Sequence, residues 1–276
     1  LPDRIGIFLN GNLSLRQITG RNGVPDASPR TTSLSGGIDY RLNAGTIVGL
    51  GAGYTANTTD IGGGSKSTSD AFNITAYGTT RPIDPVYIDA QVSYHHISFN
   101  TLRDVGGTAF LRGNPDGDVF AGSLTGGYEF EAGPYTFGPY FRADGAHGTI
   151  SSFTETGSSL FAITASGQTV DSAHAVLGAR GDQAISTDYG IVSPHLRVEY
   201  LHEFMGASGA GVGFANGAAS GFQVAGYPVS HNYFTLGGGV SFLTVTALSF
   251  FVDYDALVGY TNQTSHSITA GASVRF

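Results

Sequence analysis

Charged residues make up only 12% of this 276-residue chain, yet they recur in pairs two positions apart. Asp39 and Arg41, Arg142 and Asp144, Arg180 and Asp182, Arg197 and Glu199, and Asp253 and Asp255 show the spacing, and Asp89, Glu129 and Arg275 sit in similar alternating segments. On a strand, residues two apart share a face. These thirteen side chains can therefore gather into one ionic network, whose chemistry would be mutual pairing or the gripping of a chain that passes beside them.

Other chemistries are less well supplied. Hydrolysis needs a nucleophile or water held by His and a carboxylate; Ser193, His195 and Glu199 share a parity, with His202 and Glu203 close by. That leaves a hydrolase at a barrel rim as a minor alternative. His95 and His96 are adjacent, so on a strand they point to opposite faces and cannot chelate one ion. The glycine runs at 49–54 and 211–217 resemble phosphate loops, but neither precedes a helix. The chain has no Cys, which excludes disulfides and thiolate metal sites. Its 21 Asp and Glu against 13 Lys and Arg speak against a nucleic-acid partner. No cofactor and no metal is implied.

The elements that must position these residues are strands. With 42 Gly and no sustained 3.6-residue apolar stripe, helix signals are almost absent. No window of about 20 apolar residues exists, so any bilayer span would have to be a closed barrel. From Val192 to Tyr200 apolar residues alternate with Ser193, His195, Arg197 and Glu199. Cutting at turn signals predicts about twelve strands, near 4–16, 31–42, 46–58, 69–80, 86–99, 117–130, 135–148, 171–185, 191–204, 229–243, 247–260 and 265–276. Links at 43–45, 81–85, 131–134, 186–190 and 244–246 are tight. Those at 17–30, 59–68, 100–116, 149–170 and 205–228 are longer, as links outside a cell are. An even strand count with a tight turn after the second strand then puts both ends in the periplasm. The Gly/Ala/Ser-rich stretch 206–226 reads as a flexible loop, and residues 1–276 as a single barrel domain.

One parity is apolar and would face lipid: Ile5, Ile7, Leu9, Leu13 and Leu15, then Leu34, Ile38, Tyr40 and Leu42, then Leu248, Phe250, Val252 and Tyr254, with Leu196 and Val198. Tyr40, Tyr128, Phe130, Tyr135, Phe137 and Phe276 fall near one rim and Tyr94, Tyr200 and Tyr254 near the other, as two aromatic belts. The opposite parity collects the charges, because an ion in hydrocarbon costs about 2–4 kcal/mol near the midplane of a barrel wall. It also holds Gly6, Gly37, Gly49, Gly51, Gly53, Gly127, Gly237, Gly239 and Gly271. These glycines either let the sheet coil or leave room for a plug.

Several segments, in order, resemble the autotransporter β-domain of Gram-negative bacteria: RIGIFLNGNLSL at 4–15, GIDYRLNAGTIVGLGAGYTANTTDI at 37–61, GGYEFEAGPYTFGPYFRADG at 126–145, FTETG at 153–157, PHLRVEYLHEF at 194–204 and FFVDYDALVGYTNQTSHSITAGASVRF at 250–276. The resemblance implies a twelve-stranded translocator barrel that carries an N-terminal passenger across the outer membrane, with a helix before the first strand threading the lumen. Leu1 lies almost at the first strand, so passenger and helix are expected to be absent from this chain. The last strand, with Ala272, Val274 and a terminal Phe276, resembles the signal read by the barrel-assembly machinery. The expected partners are outer-membrane lipid and lipopolysaccharide, that machinery, and the chain's own passenger. No enzymatic activity is expected, and a stand-alone porin-like channel is the main alternative.

Overall fold

The computed structural model describes residues 4–20, 25–158, 160–217 and 221–275. In chain order the strands are β1 (Ile5–Ile18), β2 (Ser28–Asn43), β3 (Thr46–Asp60), β4 (Lys66–Ile83), β5 (Val86–Asp104), β6 (Phe110–Gly113), β7 (Asp116–Tyr128), β8 (Phe130–Ala132), β9 (Tyr135–Ile150), β10 (Phe153–Thr154), β11 (Ile163–Ala165), β12 (Gln168–Gln183), β13 (Ile185–Thr187), β14 (Gly190–Glu203), β15 (Gly209–Phe214), β16 (Phe222–Ala225), β17 (Asn232–Thr244), β18 (Leu248–Val258) and β19 (Gln263–Arg275). Twelve of them, β1–β5, β7, β9, β12, β14 and β17–β19, form a closed antiparallel barrel. Each wall strand pairs with its neighbour in sequence, and β19 pairs back onto β1 from Gly6↔Arg275 to Ile18↔Gln263. Closure leaves the wall without a free edge, which a bilayer requires.

The alternation read from the sequence sets the two surfaces. Leu50 on β3 is 69% exposed on the outer face, whereas Gly49, Gly51 and Gly53 turn inward. The outward aliphatic residues of β1, β2 and β18 named above are exposed, apart from the half-exposed Leu13 and Leu248. Tyr40, Tyr128, Phe130, Tyr135 and Phe137 are exposed around the tight-turn rim. Phe276 and Leu1 lie outside the described residues.

The tight links are turns at one end of the barrel. At Ala44-Gly45 the Gly45 N–H donates to Asn43 Oδ1 at 2.9 Å, the bond that lets Asn open a turn. Gly133 takes φ 63° in the turn between β8 and β9, a conformation few residues other than glycine adopt.

The longer links are more ordered than their composition predicts. The stretch 206–226, read from sequence as a flexible loop, contains β15 and β16, which pair from Gly209↔Ala225 to Val212↔Phe222. Together with β10 and β11, from the 149–170 link, they form a four-stranded sheet. Small residues read as a flexible loop form strands here because β15 and β16 pair with each other and β15 also pairs with β11 from another link. An Arg103 clamp at the top of β5 ties this sheet to the wall: its guanidinium donates to Glu155 Oε1 at 2.9 Å and Oε2 at 2.6 Å, and to the Phe161 carbonyl at 2.8 Å.

Several inward glycines accommodate side chains of neighbouring strands. A Cβ at Gly127 would fall 2.3 Å from the Tyr87 ring, one at Gly49 against Tyr77, one at Gly178 against Tyr140 and one at Gly271 against Phe251. Each glycine is a socket for an aromatic side chain of a neighbouring strand. Toward the long-link end, Val176, Leu201 and Tyr233 pack together inside the barrel with Leu257 and Tyr260.

Candidate functional site: the ionic lumen

The charges predicted to turn inward do not form one uniform ring. They gather mainly on the half of the wall built by β5, β7, β9, β12, β14, β17 and β18, around a cavity of about 770 Å³ lined by Asp89, Glu129, Arg142, Arg180, Asp182, Arg197, Asp253 and Asp255, among others. Antiparallel register brings them there: Arg180 pairs with Arg197 across β12 and β14, and Gly237 with Asp255 across β17 and β18.

Arg142 is the centre of the first cluster. Its Nη1 donates to Glu199 Oε1 at 2.6 Å and its Nε to Asp144 Oδ2 at 2.9 Å, while the Tyr140 hydroxyl donates to the same Glu199 oxygen. Glu199 is 3% exposed, so this carboxylate has exchanged water for those donors. Next to it, Arg197 Nη2 lies 2.5 Å from Asp255 Oδ1. In the second cluster Arg81 and Arg180 both reach Glu129, each at 2.5 Å, and the Arg180 guanidinium stacks 4.3 Å over the Tyr87 ring. Asp253 pairs with His195.

Not every predicted member joins in. Asp89 and Asp182 line the cavity without taking part in the ion pairs among the described residues. Asp39, on β2, lies over Gly6 on the neighbouring strand, away from the cavity. Arg41 has a buried Nε with no hydrogen-bond partner among the described residues. Arg275 is placed only by its backbone pairing to Gly6. Ala272 pairs with Leu9 and Phe250, and Val274 with Ile7 and Leu248.

Sequence reasoning missed Arg81, Tyr87, Tyr140 and His195 as members of the network. Strand parity could have found three of them, since Tyr87, Tyr140 and His195 each stand two residues from a charge already chosen. The hydrolase geometry is not assembled. His195 pairs with Asp253, Glu199 with Tyr140 and Arg142, and Glu203 takes hydrogen bonds from Ser172 and from the Ala173 and Met205 N–H groups. His95 contacts Ser93, whereas His96 contacts Asp118 on the other face.

A closed antiparallel barrel with an apolar outer face and an ionic lumen is an outer-membrane β-barrel. The chain matches the autotransporter beta-domain family over residues 7–255 and belongs to it. It is an outer-membrane translocator barrel, and the family implies export of an attached passenger. The fold is similar to that of the translocator domain of NalP from Neisseria meningitidis, at 14% identity and TM-score 0.82, covering 99% of this chain and 89% of that one. It is also similar to the beta domain of the Bordetella autotransporter BrkA, at 17% identity and TM-score 0.75, covering 99% and 100%. The transport unit of AIDA-I from Escherichia coli shares the fold at 13% identity and TM-score 0.66, covering 99% and 90%. No curated protein matches the sequence.

Proposed function

We propose that the ionic cavity holds the carboxy-terminal end of the passenger after export, with the long-link end of the barrel outside the cell and both chain ends in the periplasm. The cavity supports this reading: its arginines are paired to carboxylates of the wall, so a chain can pass or rest beside them without meeting isolated buried charges. The paired charges brace the wall. Ala272, Val274 and Phe276 serve as the strand that the assembly machinery reads, through an edge that β1 later covers. Lipopolysaccharide surrounds the outer rim. His195 and Glu199 are engaged by other partners, so the set Ser193, His195 and Glu199 does not serve as a hydrolase site.

The test uses a chain without native thiols. A reporter fused ahead of Leu1 carries one Cys near its junction, and a second Cys replaces either inward Asp89 or outward Val252. Surface display of the reporter, with a disulfide formed at Asp89→Cys and not at Val252→Cys, is the expected result. A reporter that stays in the periplasm while the barrel conducts small ions would replace this reading with the channel.

A further inference from the structure

The lipid-facing wall carries an open depression over β7 and β9. It measures about 870 Å³ and follows two neighbouring rows of paired residues. The first row runs through Val92, Gly122 and Gly145, and the second through Tyr94, Phe120, His147 and Asp171. The floor is the Gly122–Gly145 pair, and Met205 overhangs it from the long-link end.

These two glycines differ from the inward ones. A Cβ at Gly145 would meet nothing within 4 Å, and one at Gly122 only ordinary contacts. Among the described residues no side chain fills the space they leave. An apolar hollow on a surface bathed in hydrocarbon does not stay empty, and its lining offers water too few polar partners.

The second row ends in a polar pair. His147 Nδ1 lies 2.7 Å from Asp171 Oδ1, both side chains about half exposed on the outer face, and the ring's Nε2 is left without a described partner. Asp171 accepts from Nδ1 and so orients the imidazole, and in the imidazolium form the remaining Nε2 carries an N–H that can meet a phosphate. A second pair, His96 with Asp118, stands beside it on β5 and β7. Ion-binding side chains on a lipid face belong at head-group height.

The geometry points to a fixed lipid site: one acyl chain lies across Gly122 and Gly145 while a phosphate on the same molecule meets His147. Because the pair sits toward the long-link end, the occupant is the acylated, phosphorylated lipid A part of lipopolysaccharide. This last step rests on the orientation given under Proposed function. The hollow and the imidazole do not.

Native mass spectrometry of the purified barrel in detergent tests the site, with diphosphoryl lipid A, phosphatidylglycerol or phosphatidylcholine added in turn. One lipid A per barrel is expected, held about tenfold more firmly than phosphatidylcholine. Gly145→Leu fills the hollow and should lower retention about tenfold, whereas Gly126→Leu, at another outward glycine with open space around it, should leave it unchanged. His147→Ala should erase the preference for lipid A over phosphatidylcholine and leave a weak acyl adduct. Equal retention by Gly145→Leu and the parent, or equal retention of lipid A and either phospholipid, would overturn the proposal. Binding in detergent is blind to orientation, which protease cleavage within 206–226 on intact cells reads separately.

Discussion

Glu199 offers the sharpest test of the lumen network. Substitution by Ala removes a carboxylate that is 3% exposed and leaves Arg142, whose side chain is 23% exposed, with Asp144 alone. Removing one partner of a buried ion pair costs about 3–5 kcal/mol, most of it the penalty of the abandoned charge. Arg142 keeps its 2.9 Å contact to Asp144 and some water, which places its share near ~2 kcal/mol, and the Tyr140 hydroxyl loses its acceptor for ~1 kcal/mol more. Glu199→Ala should therefore destabilise the barrel by ~3 kcal/mol. Glu199→Gln, which still offers Tyr140 an oxygen, should cost about half of that. Combining Glu199→Ala with Arg142→Met removes both charges, so the double variant should be more stable than the sum of the single effects by ~2 kcal/mol. Urea unfolding in detergent micelles, followed by the gel shift between folded and heated barrel, measures the parent, these three variants and Arg142→Met alone. A Glu199→Ala loss below ~0.5 kcal/mol, or strictly additive effects, would refute the claim that this pair is desolvated and coupled.

Three further outcomes follow from other contacts. Gly127→Ala puts a methyl 2.3 Å from Tyr87 and should lower the unfolding midpoint by an amount worth ~1–3 kcal/mol, with Tyr87→Ala in the same chain recovering part of it. Arg103→Ala strands the buried Glu155; limited proteolysis should cut 149–167 at least several times faster while the heat-dependent gel shift of the barrel persists. Deleting Phe276 should reduce the fraction of newly made chain recovered folded in outer-membrane preparations, and unchanged recovery would count against its role in assembly.

The sequence by itself determined the class of fold and the assignment of most side chains to a face. Both follow from period-2 alternation: the bilayer tolerates no unpaired backbone and few charges, so a chain alternating Leu196 and Val198 with Arg197 and Glu199 has one workable arrangement. The tight turns at 43–45 and 131–134 were legible for the same local reason, since Asn and Gly there set the backbone directly. Tertiary structure alone decided who meets whom. That Arg142 reaches Glu199 rather than only Asp144, and that Arg81 joins Arg180 at Glu129, depends on the stagger with which strands pair as the sheet closes, and no strand carries that register in its own residues. The same stagger set Tyr87 over Gly127 and left Gly145 facing open space: two glycines alike in sequence, one a socket within the barrel and the other a hollow on its outer wall.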